Sequence, residues 1–313
     1  MTDTQHPIAI GLHGGCGVMA QADLPEAEWT AARADIAVAL RAGWDLLCRG
    51  ASAVDAVEAC VVVLEDSPHF NAGHGAALNR DGVHELDAAI MDGASAAAGA
   101  VCAAQAIRNP VRAARALMRQ GVPMMLAGPA ADRFAASVGL ALEGQEYFTT
   151  PRRLAALRTM RERRAAGTAS GATEAEKHGT VGAVALDQDG HLAAATSTGG
   201  YTDKPEGRIG DSPVIGAGTY ARDGVCAVSC TGQGEFFIRQ VAAHEIGARM
   251  RYLGENLDTA TRTMIETELA PHGIGAGLIA IDRYGRIAAP FNTEGMFRGW
   301  MLPDGTMFVA THR

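Results

Sequence analysis

Apolar positions recur at helical spacing through much of the first half of the chain and in short strand-like runs in the second, and the change falls near residue 180. "PIAIGLHGG" reads as a short buried strand entering a Gly-rich turn. From Glu26 to about Arg49, Ile36, Leu40, Trp44 and Leu47 fall on one helical face, and Gly50 ends the run. Ser52 with Asp55 three residues on caps a second helix, whose inner face is Val54, Val57, Val61 and Leu64. "EDSPHFNAGHGAALNRDG" reads as a loop, "HELDAAIMDG" and "AGAVCAAQ" as strands, and helices near 110–119 and 129–138 flank the strand "PMMLAG". Beyond Thr180, "TVGAVALDQDGHLAAATSTGG" is two apolar strands around an Asp189-Gly190 turn. "PVIGAGTYA" and "GVCAVSCTG" add two more. A long helix with Ile238, Ala242, Ile246, Met250 and Leu253 on one stripe follows, then a helix over roughly 256–269. "AGLIAIDRYGRIAAPFN" repeats the pattern of the first hairpin, as any two antiparallel hairpins do, and no solenoid repeat is present. Strands apolar on both faces, with helices in blocks, predict an α/β (α+β) fold with sheets covered on both sides.

Residues 149–179 break the pattern. Their first half reads as a short basic helix, and their second half, "AAGTASGATEAEKHG", has the composition of a flexible linker. Such a length inside a compact domain is uncommon and is usually functional or disordered. It stops at Gly179-Thr180, where an apolar strand begins. A threonine hydroxyl is a poor nucleophile near neutral pH and needs a base. A chain cut before Thr180 would supply one, the threonine's own α-amine, with a pKa of about 8. Gly179, lacking Cβ, tolerates a strained scissile peptide. The plain alternative is a surface loop followed by the first residue of a strand, and Gly-Thr alone does not separate the two.

Composition narrows the classes. In 313 residues, 48% apolar and 20% charged positions are ordinary for a globular protein of one large or two ordinary domains. The net charge of −8 gives no basic footprint for nucleic acid or an anionic membrane. "MTDTQHPIAIGLHGG" lacks the basic and apolar regions of a leader, and no apolar run approaches about 18 residues, so a cytoplasmic protein is expected. Cys16, Cys48, Cys60, Cys102, Cys226 and Cys230 sit in apolar surroundings without a CxxC pair, which reads as reduced core cysteine and not zinc. His74, His84, Glu85, Asp87 and Asp92 match no zinc spacing.

Six segments in order resemble the plant-type asparaginase and isoaspartyl peptidase family of N-terminal nucleophile hydrolases: "HGGCG" (13–17), "FNAGHGAALNRDGVHELDAAIMDG" (70–93), "HGTVGAVALD" (178–187), "AATSTGG" (194–200), "GRIGDSPVIGAGTYA" (207–221) and "CTGQGEFFIR" (230–239). The resemblance implies a four-layer αββα sandwich formed as one domain over 1–313. It implies autocleavage at Gly179–Thr180 into an α chain (1–179) and a β chain (180–313), and a dimer of such αβ units. It makes Thr180 nucleophile and base, with Thr198 bonded near it and Asn71 beside the scissile bond. Arg208 would grip a substrate α-carboxylate, which a planar guanidinium fork suits. Asp211 would hold the α-ammonium; a local Arg208–Asp211 surface pair is the plain alternative. Thr231 and Gly232 would form an oxyanion hole, and Gly234 would leave room for substrate.

No cofactor is expected for catalysis. The loop Leu64–His74 resembles the family's sodium loop, implying structural Na+ on the carbonyls of Leu64, Glu65, Ser67, Phe70, Ala72 and His74. Cys16 stands where relatives usually have Ala, and Gln233 where they often have Thr or His. The expected substrates are small molecules, L-asparagine and β-aspartyl dipeptides. Competing readings are a glycosylasparaginase-like amidase, an unprocessed amino-acid-binding homologue and a metal-dependent amidohydrolase.

Overall fold

Side chains alternate across a strand with period two, and the run Val181–Leu186 (β5) uses both faces. Val181, Ala183 and Ala185 enter one hydrophobic core, while Val184 and Leu186 enter a second. The strand Leu192–Thr198 (β6) repeats this, with Ala193 and Ala195 on one side and Leu192 and Ala194 on the other. A sheet with two buried faces must be covered twice, and the computed structural model, which describes residues 7–17, 25–168 and 179–313, shows how.

The large sheet has eight strands. Its order is β12 (Met307–His312), β11 (Gly295–Met301), β1 (Ala9–Cys16), β5, β6, β2 (Leu86–Asp92), β3 (Ala98–Ala104) and β4 (Met125–Ala127). Every pairing is antiparallel except β3 with β4. A second sheet of four strands has the order β10 (Ile287–Ala288), β9 (Ala276–Asp282), β8 (Cys226–Gly232) and β7 (Thr219–Arg222). On the outer face of the large sheet lie α1 (Glu26–Cys48), α2 (Ala53–Asp66), α3 (Pro110–Gln120) and α4 (Pro129–Ser137), around the first core. The helices between Gly234 and Leu269 cover the outer face of the small sheet, and the second core runs from them through that sheet to the large one. The layers are therefore α, β, β, α.

Local signals account for most of the elements. Ser52 and Asp55 form the expected capping box, and Val54, Val57, Val61 and Leu64 are buried. In α1 the buried face is Trp29, Ala32, Ile36, Ala39, Leu40, Gly43 and Leu47, so Gly43 rather than Trp44 meets the sheet. The basic half of 149–179 is a helix, α6 (Pro151–Ala165, after the short α5, Gln145–Phe148), capped by Thr150. The flexible-linker expectation covers 165–179; Ala165 is the last residue of α6, and 169–178 lie outside the described residues.

Four expectations need correction. The long helix after Gly232 is two, Gly234–Gln240 and Ala242–Ala248, separated by Val241 at φ 47°. Leu253, at the end of the wider turn Arg249–Leu253 that follows, is exposed, while Phe237 takes a core position in the first helix. Of "PVIGAGTYA" only Thr219–Arg222 is strand, because its glycines turn the chain. Strand β5 starts at Val181, one residue after Thr180. Cys48, the last residue of α1, is exposed, unlike the other five cysteines. The sequence reading also left β11 and β12 unassigned.

Candidate active site

The site lies where β5 begins. Thr180 is only 6% exposed. Its Oγ1 donates to Thr198 Oγ1 at 3.2 Å. Thr198 ends β6, paired with β5, so the sheet register brings the two hydroxyls together. Thr198 in turn donates to the Gly179 carbonyl oxygen at 3.0 Å and accepts from Gly200 N–H, also at 3.0 Å. The Gly179 oxygen has a second donor, Asn71 Nδ2, at 2.8 Å. Asn71 is held by Ala77 N–H on its Oδ1 and by a second bond from Nδ2 to Gly200 O, each 2.6 Å. The Gly179–Thr180 peptide thus presents a carbonyl already polarised by two donors.

β1 approaches the same peptide closely. A Cβ on Gly15, at φ +106°, would lie 3.0 Å from Gly179 Cα and 3.1 Å from Thr180 N. The register slip of β1 between His13 and Gly15 makes this possible. Behind it runs a buried polar chain that sequence reasoning missed. His13 Nε2 meets Ser229 Oγ at 2.9 Å, Ser229 meets Thr196 Oγ1 at 2.7 Å, the Thr196 and Thr219 hydroxyls meet at 2.6 Å, and Thr219 donates its one hydrogen to Ser212 O at 2.9 Å. Burial drives the His13 pKa down to about 3, although the Thr180 main chain favours its proton, so the ring is neutral. The chain ties both sheets to the residue after Asp211. Its signal was present as hydroxyl residues at inward strand positions, in "AATST", "GTYA" and "AVSC".

Gly179, Thr180, Thr198, Gly200, Arg208, Gly210, Asp211, Ser212 and Gly232 line one narrow cleft. Arg208 and Asp211 do not pair with each other. Arg208 donates from Nε and Nη2 to the two carboxylate oxygens of Glu235, at 2.9 Å each, and lies over the Tyr201 ring at 4.7 Å. Burial works against the Arg208 charge, but the bond and field of Glu235 raise its pKa further. Asp211 is 4% exposed. Its Oδ2 has no hydrogen-bond partner among the described residues. Burial pushes its pKa up to about 7, against the pull of Arg208. A Cβ on Gly234 would lie 2.6 Å from Asp211 Oδ1, so what this glycine makes room for here is that carboxylate. Gly232 reaches the cleft at φ +142°. Thr231 is fully buried behind it, its Oγ1 accepting from Cys16 N–H at 3.2 Å. That bond leaves the Thr231 hydroxyl hydrogen free to donate. Cys16 also gives its thiol hydrogen to Thr231 O, at 3.3 Å.

Charged groups support the loop that carries Arg208. Lys204 is wholly buried, donates to Glu85 O at 3.0 Å and faces the Glu85 carboxylate, whose Oε1 accepts from Gly207 N–H at 2.9 Å. Asp87 accepts from Ala103 N–H, His84 bonds Thr149, and Asp92 caps its own turn at Ala94. These residues are spread among structural tasks, and no group of three or more His, Cys, Asp or Glu suited to a metal occurs among the described residues.

The loop expected to carry sodium curls over two glycines. A Cβ on Gly73 would lie 2.4 Å from Glu65 O, and one on Gly75 would lie 2.9 Å from both Pro68 O and Phe70 O. Glu65 O thus faces one glycine, and Pro68 O and Phe70 O face the other; neutral main-chain oxygens are the donor type that a hard cation takes. Of the carbonyls expected as ligands, Glu65 O already accepts from His74 N–H at 2.7 Å and Leu64 O from Ser67 N–H at 3.4 Å.

A four-layer αββα sandwich that sets a hydroxyl at the head of a central strand, facing a guanidinium and a carboxylate, has the architecture of the N-terminal nucleophile hydrolases. A family model described as asparaginase matches residues 6–310, and the chain belongs to that family. It is 46% identical over 307 residues to an isoaspartyl peptidase of Escherichia coli K12, covering 97% of this chain and 96% of that one. To an isoaspartyl peptidase of Salmonella typhimurium it is 45% identical, with 97% and 98% covered. To a probable isoaspartyl peptidase/L-asparaginase 2 of Arabidopsis thaliana it is 39% identical, with 96% and 98% covered. No helix among the described residues is long and apolar enough to cross a membrane.

Proposed function

We propose that this chain is an autocleaving threonine hydrolase that acts on β-aspartyl dipeptides and on the side-chain amide of L-asparagine. The observation that carries the reading is the double donation by Asn71 and Thr198 to the Gly179 carbonyl, at 2.8 Å and 3.0 Å, beside the Thr180 hydroxyl. In the first stage Thr180 Oγ1 attacks the Gly179 carbonyl carbon, and Asn71 and Thr198 stabilise the charge on its oxygen. The peptide C–N bond breaks, the nitrogen takes the proton from the hydroxyl, and water hydrolyses the resulting ester. This frees the Gly179 carboxylate and the Thr180 α-amine.

In the second stage that amine takes the Oγ1 proton, and Oγ1 attacks the substrate's β-carbonyl. Arg208 and Asp211 hold the α-carboxylate and α-ammonium, and the Thr231 hydroxyl and Gly232 N–H receive the oxyanion. Ammonia or an amino acid leaves with the proton, and water then releases aspartate from the β-aspartyl ester. Sodium, where bound, would sit on the 64–75 carbonyls and stiffen the loop that carries Asn71. A dimer of αβ units and a cytoplasmic location belong to the same proposal. The relatives' names favour this over a glycosylasparaginase-like amidase or an unprocessed binding protein.

The test is intact mass spectrometry of wild type and Thr180→Ala over several days, followed by assays of L-asparagine and β-aspartyl dipeptide hydrolysis. Two fragments joined at 179/180 in the wild type, an uncut and inactive variant, and turnover by the cut protein are expected. A processed or active Thr180→Ala protein would refute the assignment.

A further inference from the structure

We propose that Glu235 is a positioning residue that orients Arg208 so that the free edge of its guanidinium meets the substrate's α-carboxylate; this rests on the reading of the cleft just given. A guanidinium is planar and carries five N–H groups along its edges. Glu235 occupies one edge, through Nε and Nη2 at 2.9 Å each. Tyr201 occupies one face, its ring centre 4.7 Å from the guanidinium carbon. The remaining group, Nη1, stands over Gly210, where a Cβ would come within 2.8 Å of it. Gly210 and Arg208 both line the cleft, beside Asp211. One edge and one face are thus held by the protein, and the edge formed by Nη1 and the outer N–H of Nη2 is left for a second carboxylate. The burial of the two partners fits this division. The Arg208 side chain is 13% exposed and that of Glu235 40%, so the carboxylate reaches in from the rim and the cation stays in the cleft. Without Glu235 the arginine would keep its charge, but its long side chain would no longer be fixed in one rotamer, and ordering it on each binding event would weaken the grip on the carboxylate.

The test compares L-asparagine with L-asparaginamide, which keeps the α-amine and side-chain amide but lacks the α-carboxylate. Wild type, Glu235→Ala and Glu235→Gln are first checked for processing by intact mass. In Glu235→Ala the KM for L-asparagine should rise about tenfold while kcat changes less than about threefold, the signature of lost uniform binding. The preference in kcat/KM for L-asparagine over L-asparaginamide should shrink by about the same factor, with Glu235→Gln between the two because its amide oxygen still accepts one bond. A general structural defect would lower both substrates together. An unchanged preference in a processed variant overturns the proposal, and so does a KM that falls, which would mean that Glu235 competes with substrate. If Glu235→Ala does not process, Glu235→Gln decides by the same ratio. A wild-type chain that neither processes nor hydrolyses L-asparagine overturns the reading of the cleft itself.

Discussion

At the scale of single residues, burial in the site works against charge. Asp211 is the sharpest case, with one carboxylate oxygen unpaired among the described residues and a pKa of about 7. An unfolded aspartate titrates near 3.9. Between about pH 4 and pH 7 the folded chain therefore retains a proton that the unfolded chain has released. Stability contributed by this group falls as pH rises through that window and levels off above it. In the proposed function that unpaired oxygen would meet the substrate's ammonium group, so binding and stability would pull against each other here. Asp211→Asn should remove the titration. Made in a Thr180→Ala background to keep one chain, it should gain about 1–3 kcal/mol relative to its parent on moving from pH 4.5 to pH 8. Urea unfolding at the two pH values measures this. An equal difference at both would mean that Asp211 is not held protonated by its surroundings.

At the scale of elements, the break at Val241 shows what the sequence could not reveal. The apolar stripe from Ile238 to Leu253 is continuous at helical spacing, and nothing at Val241 resembles a helix stop. The chain turns there because its partners lie elsewhere. Ala243 N–H donates to Ala217 O at 3.1 Å and His244 N–H to Gly216 O at 2.8 Å, so the second helix spends its first donors on the turn below Asp211. Tertiary contacts override a local pattern, and a β-branched residue sits in the left-handed region as a result. Val241 is 47% exposed, so its side chain contributes little burial. Val241→Gly should relieve the strain and stabilise the protein by about 1 kcal/mol, a rise of roughly 2–4 °C in the thermal midpoint. A lower midpoint would show that the Val241 methyls matter more than its backbone. The elements that were legible, α2 with its Ser52–Asp55 box and the hairpin at Asp189-Gly190, carry their signals within a few residues. β11 and β12 also have such a signal, Asp304-Gly305 between two apolar runs, and only the mixed polarity of their flanks hid it. In the site, Thr180, Asn71, Arg208 and Asp211 stood out through the family motifs. The Glu235 bond to Arg208 and the hydroxyl chain from His13 did not, because each joins residues whose nearness exists only after the sheets pack.

At the scale of the whole molecule, the proposed cut would fall inside the sheet and not between domains. The strands that precede residue 179 are β1, β2, β3 and β4, and those that follow it in the same sheet are β5, β6, β11 and β12. They are interleaved. β1 lies between β11 and β5, and β2 is bonded to β6 on one side and β3 on the other. Helix α2, from the first fragment, packs on β5 and β6, from the second, through the core that contains Val57, Val61, Val181 and Ala195. Outside the sheet, Arg164 on α6 reaches both oxygens of Asp203 at 2.9 Å, so the last described helix before the cut is tied to the loop after it. Breaking one peptide bond removes none of these contacts. Separating the fragments would expose strand edges and apolar faces together, which leaves neither fragment a core of its own. The cut protein should therefore elute from a sizing column as one species while showing two bands under denaturing conditions. It should unfold in a single cooperative transition, with both fragments lost at the same urea concentration. Two separate transitions, or release of either fragment from the column in native buffer, would show that the two halves of the sheet hold themselves together independently and would contradict the single interleaved core.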